Sequence, residues 1–452
     1  MYFSRFNVFS KLRDSENYFI VNLLSGNADI LEADEARKVI HGEIPDTQEF
    51  IDKGYLVDEE QERHSFRMKY LDFLDKRDSG EVQLFFVPGY ECNFSCSYCY
   101  QVDYDVGPQK TTGDGIEAFY RYIDAEFAGR DKYITIFGGE PLLPDKHSRA
   151  RMRELVEGAH GRGLDIAVVT NGYHLAEYVP ILDKGSIREI QVTLDGVEHI
   201  HNTRRPLRDG GGTFAAIVRG VDSALEAGYT VNLRVVLDAE NIEGLPALAR
   251  FASEKGWTDR PKFKTQLGRN YELHSCQADG AKLFSRVSFY EKLYHLLQAF
   301  PEVGEFHRPA FSLSRFLLEN GELPEPIFDA CPACKTEWAF DYTGRIYSCT
   351  ATVGKLDECL GTFYPEVTRK EQIIQTWQER DVTSIDECAD CALQLSCGGG
   401  CGAVAKNKSG NILAPDCRPE KELMEMGVSL YFEKGLFDGR KDHVHKCCPI
   451  RG

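Results

Sequence analysis

This sequence lacks long apolar runs, an excess of basic residues and internal repeats. No stretch approaches the ~18 apolar residues of a membrane span, and its start, MYFSRFNVFSKLRDSENYFI, has no signal-peptide core or cleavage site. We therefore expect a cytoplasmic protein without a membrane partner. Lys and Arg number 53 against 71 Asp and Glu, a net charge of -18. Since phosphate binding needs clustered cations, a nucleic-acid partner is not expected.

Cysteine, by contrast, is abundant, with 15 residues. In a reducing compartment, cysteines are more often metal ligands or catalytic groups than disulfides. Cys92, Cys96 and Cys99 lie together near the front, and Cys276 is isolated. This distribution predicts a cysteine-poor α/β domain followed by a small cysteine-dense one. The remaining cysteines are Cys331, Cys334, Cys349, Cys359, Cys388, Cys391, Cys397, Cys401, Cys417, Cys447 and Cys448.

The length of 452 residues exceeds what one hydrophobic core usually supports, so several domains are expected. Residues 1–80 carry a hairpin signal and short helical patterns, which predict a winged-helix-like module or an extension packed on the next domain. From residue 82, six apolar strand patterns alternate with helical patterns. The predicted fold class is α/β, with a partial (β/α)6 barrel over 81–305 and a linker and cysteine-rich domain over 306–452.

The first barrel strand leads into GYECNFSCSYCYQ, with the spacing Cys92-x3-Cys96-x2-Cys99. Three thiolates hold three corners of a 4Fe–4S cluster and leave one iron open. A zinc knuckle or a buried structural trio is the alternative for the bare spacing. With Tyr98 before the last cysteine, the loop resembles the signature of the radical S-adenosylmethionine (SAM) superfamily. The resemblance implies that SAM chelates the open iron and is cleaved to a 5′-deoxyadenosyl radical, with Tyr98 near the adenine.

The next two strand patterns also end in polar groups. In FGGEPLL, Gly138 and Gly139 permit close backbone approach, and Glu140 can balance a cationic amine. GGEP resembles the superfamily's motif for the amino group of SAM. By the same resemblance, Thr170 and Asn171 of the TNG segment reach the ribose or the carboxylate of SAM. Because chemistry in such barrels lies at the carboxyl ends of the strands, these positions support the predicted fold.

The fourth strand pattern ends in TLDG and continues as VEHIHNTRRP. Asp195 is a candidate SAM contact and, alternatively, a structural residue of the turn. Arg205 is the expected partner of the SAM carboxylate, since a planar guanidinium suits a two-pronged contact. Arg204 is the adjacent competitor, and a surface ion pair is the plain alternative for either arginine. His199 and His201 are expected to be ordinary loop residues.

The tail carries a second cysteine pattern. Cys334-x9-Gly344-x4-Cys349 precedes Cys388-x2-Cys391-x5-Cys397-x3-Cys401 and later Cys417. This resembles the seven-cysteine pattern of the SPASM domain, which follows the barrel in radical SAM enzymes that modify peptides and proteins. Zinc ribbons are the alternative, since C-x2-C pairs also suit zinc. The resemblance covers roughly residue 82 to the low 420s.

In the SPASM family two auxiliary 4Fe–4S clusters are bound, which would make three clusters in all. Cys331 lies outside the seven-cysteine pattern, so a fully ligated first auxiliary cluster and one with an open iron both remain alternatives. Cys276 and Cys359 fit no spacing, and Cys447 and Cys448 are either a plain tail or a substrate-facing pair. By carry-over, the first auxiliary set is Cys331, Cys334, Cys349 and Cys401, and the second is Cys388, Cys391, Cys397 and Cys417.

The resemblance predicts an enzyme, a radical SAM oxidoreductase that modifies a ribosomally made peptide by a crosslink such as a thioether or by side-chain oxidation. Its expected partners are a precursor peptide or protein and a low-potential reductant such as flavodoxin or ferredoxin. A sulfatase-type maturase forming formylglycine is an alternative, although Thr350 stands where those enzymes carry Asp. A further alternative is an enzyme that processes a small cofactor or an enzyme subunit. From a different class, the chain would be an iron–sulfur electron-transfer protein that does not use SAM.

Overall fold

The structure, a computed structural model, describes residues 1–44, 47–99, 101, 113–270, 280, 282–433 and 435. Its N-terminal part combines a small antiparallel sheet with three helices. The elements there are β1 (Tyr2–Phe3), β2 (Asn7–Lys11), β3 (Tyr18–Asn22), β4 (Ala28–Leu31), α1 (Ala33–Ile40), α2 (Thr47–Asp52), β5 (Leu56–Val57) and α3 (Glu59–Ser79).

The N-terminal sheet has the order β2-β3-β4, and β1 pairs with β5. In the turn after β3, the Asn22 side chain accepts the backbone N–H groups of Leu24 and Ser25 at 3.0 and 2.7 Å. An asparagine side chain that satisfies the backbone in this way stabilises a turn. The hairpin predicted around Ser25 is therefore confirmed, whereas the winged-helix-like description and the boundary at residue 80 stay predictions.

This N-terminal part shares a hydrophobic core with the cysteine-rich tail. Phe328 of the tail lies among the rings of Phe66, Tyr70 and Phe73 on α3, at centroid distances of 5.1, 5.3 and 5.5 Å. Aromatic pairs at such distances contribute about 0.5–1.5 kcal/mol each beyond their area burial. The buried core also contains Phe6, Val8, Phe19 and Val21 with Val382, Ile385, Leu395, Met424 and Val428.

Six parallel strands form the centre of the molecule, and their spatial order equals their order in the chain. In the fifth of them, alternate residues from Val231 to Leu237 are buried, as a strand covered by helices on one face requires. The six predicted strands are confirmed. They are β6 (Val82–Val87), β7 (Lys132–Ile136), β8 (Asp165–Thr170), β9 (Ser186–Thr193), β10 (Val231–Leu237) and β11 (Phe263–Arg269).

Helices connect these strands and bury their apolar faces in one continuous core with them. They are α4 (Gly113–Glu126), α5 (Lys146–His160), α6 (Leu175–Leu182), α7 (Glu198–Arg204), α8 (Phe214–Glu226), α9 (Leu245–Glu254), α10 (Arg286–Ala299), α11 (Pro301–Phe306) and α12 (Ser314–Asn320). The protein thus has the predicted mixed α/β fold with a large parallel sheet.

The central sheet continues into the tail. Strand β12 (Glu337–Asp341) pairs in parallel with β6, so that Asp341 lies beside Val87 at the carboxyl end of the sheet. A chain of antiparallel strands extends from β12, in the order β12-β13-β14-β15. The other tail elements are β13 (Arg345–Tyr347), β14 (Gly361–Thr362), β15 (Thr368–Arg369), α13 (Glu371–Glu379), α14 (Gln394–Cys397), α15 (Gly402–Ser409) and α16 (Glu420–Val428). Within the described residues, no helix combines the length and the apolar character needed to cross a membrane.

Candidate active site

The cysteine loop leaves the carboxyl end of β6 and is fixed to the chain beyond α7. Cys92, Cys96 and Cys99 are half-buried and form no disulfide. The backbone N–H of Ser95 donates to the Pro206 carbonyl at 2.9 Å. Phe94 is buried and forms an isolated antiparallel bridge with Leu207. These contacts hold the three thiols at the edge of the sheet where the polar segments after β7, β8 and β9 also lie.

The glycine pair after β7 approaches the cysteine loop directly. Gly139 has a φ of +41°, and a Cβ at that position would lie 2.3 Å from the Glu91 carbonyl oxygen. No other residue fits this position, because a Cβ would collide with backbone that cannot move away. The backbone N–H of Glu140 donates to the same Glu91 carbonyl at 2.8 Å. The glycine motif therefore sets the distance between the cysteine loop and the end of β7.

The Glu140 side chain is buried and connects the ends of β7 and β8. Its Oε1 accepts the Thr170 hydroxyl at 2.6 Å and the Leu142 N–H at 2.8 Å, and its Oε2 accepts the Asn171 N–H at 2.6 Å. Burial raises the pKa of Glu140, and the Thr170 and backbone donors oppose that rise. Two carboxylate oxygens offer about four acceptor sites, so roughly one remains for a ligand.

Asn171 extends this network to the cysteine loop. Its Nδ2 donates to the Asn93 side-chain oxygen at 2.8 Å and lies 4.0 Å from the Cys92 sulfur. The side-chain Nδ2 of Asn93 is buried and has no hydrogen-bond partner among the described residues. A buried donor without a partner is costly, which indicates that a ligand or water completes this position.

Tyr98 lies between the ends of β9 and α7. Its hydroxyl donates to Asp195 Oδ2 at 2.5 Å and accepts a hydrogen bond from Arg205 Nη1 at 2.6 Å. Asp195 also accepts the Val236 N–H at 3.0 Å, so it connects the end of β9 with β10. Arg205 is buried, and its Nε has no partner among the described residues.

The two adjacent arginines have different surroundings. Arg204 binds Asp238 with two hydrogen bonds of 2.8 and 2.9 Å, and both side chains are almost fully buried. Arg205 forms no ion pair with a carboxylate in the part of the chain that the structure describes, and it points at the tyrosine of the cysteine loop. Arg205 is therefore the arginine that remains available to a ligand carboxylate.

The expectation that His199 and His201 are loop residues is wrong. Both lie on α7, and His201 is fully buried with Nδ1 3.1 Å from the Asp195 N–H that donates to it. Burial, and then the charges of Arg205 and Arg204, lower the pKa of His201 well below its ordinary value. His201 therefore stays neutral and accepts a hydrogen bond that fixes the turn after β9.

The thiols of Cys92 and Cys96 need a nearby positive centre to ionise. Burial and then the Glu140 charge raise the pKa of Cys92 to about 12. Burial also raises the pKa of Cys96, while the Arg205 charge opposes that rise. A bound metal deprotonates such a thiol outright, because the charge of the metal outweighs the desolvation cost.

Neighbouring thiols contribute to the raised pKa values of several tail cysteines. Burial raises the pKa of Cys334 well above its ordinary value, and Cys349 and Cys331 add to the rise. The pKa of Cys349 is raised by burial, by Glu337 and by its neighbours Cys331 and Cys401. In the second set, burial raises the pKa of Cys388 to about 11, with further contributions from Cys397, Cys391 and Cys417. The assignment of these cysteines to two clusters stays a prediction.

The other cysteines lie apart from these sets or outside the described residues. Cys359 is half-buried, and its thiol donates to the Gly361 carbonyl at 3.2 Å. Cys276, Cys447 and Cys448 lie outside the described residues. Among the described residues, no three His, Cys, Asp or Glu side chains converge as they would around a single metal ion. A four-iron cluster needs no such convergence, since its ligands surround a cube of atoms.

Comparison with protein-family models identifies the domain that contains this arrangement of residues. Residues 86–252 match the family model of the Radical SAM superfamily. The chain contains a radical SAM domain. This domain spans the cysteine loop, the GGEP segment, the polar ends of β8 and β9, and α7. A radical SAM domain implies a 4Fe–4S cluster and SAM, and the cysteine-rich tail suggests further clusters.

Curated relatives match part of the chain. A GTP 3′,8-cyclase from Rhizobium leguminosarum bv. trifolii is 33% identical over 167 residues, which are 36% of this chain and 46% of the relative. A probable GTP 3′,8-cyclase from Methanopyrus kandleri is 32% identical over 158 residues, 35% of this chain and 48% of the relative. The chain thus spans about half the length of the curated relatives it matches.

Among solved structures, native anSMEcpe with bound AdoMet and the Cp18Cys peptide superposes with a TM-score of 0.60. The two sequences are 20% identical, and the match covers 78% of this chain and 98% of that one. At this identity the likeness shows the fold. It extends beyond the 167 residues, 86–252, that match the radical SAM family model, and therefore includes parts of the chain outside the radical SAM domain.

The residues present fit a SAM-binding cluster. Three thiols lie on one loop beside two buried donors, Asn93 Nδ2 and Arg205 Nε, which have no hydrogen-bond partner among the described residues. The sequence motifs did not indicate Asn93, although its position inside the Cys92-x3-Cys96 loop was a signal that could have done so. Gln101 was missed as well, and its side-chain oxygen accepts the Gly139 N–H at 2.7 Å.

Proposed function

We propose that the chain is a radical SAM enzyme that modifies a ribosomally made peptide, using one SAM-binding cluster and two auxiliary clusters. When bound, the cluster and SAM supply the 5′-deoxyadenosyl radical that removes hydrogen from unactivated carbon. The observation that carries the proposal is that three loop thiols lie with the buried Asn93 Nδ2 and the buried Arg205. Among the described residues, Asn93 Nδ2 has no hydrogen-bond partner and Arg205 has no carboxylate partner. The protein positions the reactants and excludes water.

The residues around the loop have separable roles in this proposal. Cys92, Cys96 and Cys99 hold three irons, and Arg205 binds the SAM carboxylate. Glu140 receives the SAM ammonium with its remaining acceptor site, while Thr170 and Asn171 keep the Glu140 carboxylate oriented. Tyr98 lies near the adenine, and the Tyr98–Asp195 bond holds its ring against the end of β9.

Two auxiliary clusters would occupy the tail. The first would be held by Cys331, Cys334, Cys349 and Cys401, and the second by Cys388, Cys391, Cys397 and Cys417. This division is supported by the thiols that help to raise the pKa of Cys349, which are Cys331 and Cys401, and by those that help to raise the pKa of Cys388, which are Cys397, Cys391 and Cys417. The parallel pairing of β12 with β6 places Cys334, which precedes β12, beside the amino end of β6. The auxiliary clusters would accept an electron from the product radical.

A peptide substrate is supported by the extent of the fold match. The likeness to anSMEcpe, whose structure holds a peptide, covers 78% of the chain, whereas the GTP cyclases match 36% or less of it in these two cases. The small N-terminal sheet adds a further unit beyond the barrel and tail. Thr350 follows Cys349, where sulfatase maturases carry an Asp, and its N–H donates to Glu337 Oε1 at 2.9 Å. This counts against the sulfatase-type alternative.

Iron content and SAM cleavage test the cluster assignment. We expect about twelve irons per chain after anaerobic reconstitution, from three four-iron clusters. Cys96→Ala should abolish release of 5′-deoxyadenosine under reductant and leave about eight irons in the tail. Cys359→Ala, outside all three sets, is the matched control and should keep both properties. A plateau near four irons would overturn the auxiliary assignment, and cleavage of SAM by Cys96→Ala would overturn the mechanism.

The substrate class is tested separately. Short peptides encoded beside the gene are incubated with the reconstituted enzyme, SAM and a low-potential reductant, and the products are examined by mass spectrometry. Loss of two hydrogens from a peptide, matched by SAM consumption, supports the proposal. Consumption of GTP in a parallel reaction, with every peptide unchanged, would assign the activity to the cyclase class instead.

A further inference from the structure

A fully buried arginine lies in the tail, bonded to backbone carbonyls. Arg380 is 0% exposed. Its Nε donates to the Ile412 carbonyl at 2.7 Å, and its Nη1 donates to the Gly400 carbonyl at 3.0 Å. Its Nη2 donates to the carbonyls of Gly399 and Ala414 at 2.7 and 3.1 Å. Four carbonyl dipoles therefore surround the guanidinium.

The positive charge of Arg380 has no carboxylate partner among the described residues. The buried carboxylate of Asp329 is committed elsewhere, since it is paired with Lys335 at 2.5 Å. Lys335 in turn donates to the Arg380 carbonyl at 2.9 Å. Asp381 and Asp416, which are buried as well, are also bonded elsewhere: Asp381 accepts the hydroxyls of Tyr70 and Thr383, and Asp416 pairs with Arg286 and Lys408. An uncompensated buried charge is costly, so an anionic partner is expected nearby.

The loop that surrounds Arg380 connects the two cysteine sets. Gly399 and Gly400 lie between Cys397 of the second set and Cys401 of the first. Gly400 has a φ of +69°, and a Cβ there would lie 2.1 Å from the Asp416 carbonyl oxygen. This conformation turns the carbonyls of Gly399 and Gly400 toward the guanidinium. Cys397 precedes these two glycines in the chain, and Cys401 follows them.

We propose that Arg380 is a positioning residue that raises the reduction potential of the auxiliary clusters by placing its charge on the loop between them. The proposal rests on the assignment of two auxiliary clusters above. A four-iron cluster with four thiolates is anionic and gains one more negative charge when an external reductant or a product radical gives it an electron. A buried cation stabilises the reduced state more than the oxidised one, since net charge sets the potential of such clusters.

The test is a redox titration of the reconstituted full-length chain, monitored by electron paramagnetic resonance. Cys92, Cys96 and Cys99 are replaced by Ala in every sample, so that the SAM-binding cluster does not contribute to the signal. Arg380→Met should lower the potential of at least one auxiliary cluster at unchanged iron content. The double variant Asp329→Asn, Lys335→Met removes one charge of each sign and is the matched control, for which a smaller shift is expected. An Arg380→Met potential equal to that of the parent would overturn the proposal.

Arg380→Lys decides the question if the methionine variant does not load iron. Lysine keeps the charge but has three donors for the four carbonyls. The unfolding midpoint of Arg380→Lys should therefore fall, while the reduction potentials of its auxiliary clusters stay near those of the parent. If its potentials fall as its stability does, Arg380 acts through loop structure alone and the charge proposal is wrong. A parent chain without auxiliary iron would instead refute the cluster assignment on which the proposal rests.

Discussion

Replacing Glu140 by Gln isolates the contribution of one oxygen atom to the site. In the native protein, Oε1 accepts Thr170 and Leu142, and Oε2 accepts the Asn171 N–H at 2.6 Å. With Gln, the amide nitrogen at the Oε2 position would face the Asn171 N–H, donor against donor. If the amide turns over, the Leu142 N–H loses its acceptor instead. Either orientation leaves one buried backbone N–H unsatisfied.

The cost follows from that single lost bond. An unsatisfied buried donor costs about 1–3 kcal/mol. For a domain of 150–250 residues, each kcal/mol lowers the melting temperature by about 2–4 °C. We therefore expect Glu140→Gln to melt roughly 2–12 °C below the parent chain. Melting of cluster-free protein, followed by circular dichroism, measures this effect without a contribution from iron loading.

Glu91→Gln is the matched control for that experiment. The Glu91 side chain is exposed, and only its backbone carbonyl contacts Glu140. Both variants remove one negative charge, but the control leaves every buried hydrogen bond in place. If the two variants melt at the same temperature, the reasoning from the Glu140 contacts is refuted.

Two further predictions concern the adjacent arginines and a half-buried histidine. Arg205→Met should weaken equilibrium SAM binding tenfold or more, at about 1.4 kcal/mol per tenfold, with little change in the melting temperature of cluster-free protein. Arg204→Met should instead lower the free energy of unfolding by about 3–5 kcal/mol, because it leaves Asp238 buried and without its ion-pair partner. If Arg204→Met weakened SAM binding and Arg205→Met lowered the stability, our assignment of the two arginines would be contradicted. Burial lowers the pKa of His307 to about 4, below the ordinary value of 6.5. Between these values the unfolded chain binds more protons than the folded chain, so stability should fall as the pH decreases from 6.5, by at most about 1.4 kcal/mol per pH unit. Denaturant midpoints at pH 7 and pH 5 measure this loss, and His307→Gln should reduce it; an unchanged pH dependence would exclude His307 as its source.

Much of the fold and the candidate site followed from local patterns. Apolar runs alternating with amphipathic segments predicted all six parallel strands of the barrel, because each pattern reflects burial on a face of one element. The residues of the cysteine loop and GGEP were identifiable from short spacings. Parallel strands bring their carboxyl ends to one edge, so these motifs were expected to lie together, as they do in the structure.

Local patterns failed where long-range contacts supply the stabilisation. Helix α7 was interpreted as a loop, because its sequence EHIHNTR contains few strong helix formers. The helix is stabilised by the buried His201 and Arg204, whose partners Asp195 and Asp238 belong to other elements. The parallel pairing of β12 with β6 joins residues about 250 positions apart. Nothing within either strand specifies that partner.

The sequence by itself determined the chemistry of this protein, since the types and spacings of its cysteines, glycines and acidic residues are local properties of the chain. Only the tertiary structure decided which of two neighbouring arginines faces the cysteine loop. Arg204 is bound to Asp238, whereas Arg205 contacts Tyr98. The tertiary structure also brought Arg380 to the carbonyls of Gly399 and Gly400, which lie between Cys397 and Cys401 in the chain. These outcomes depend on the direction of side chains across elements far apart in the chain, which a linear pattern does not encode.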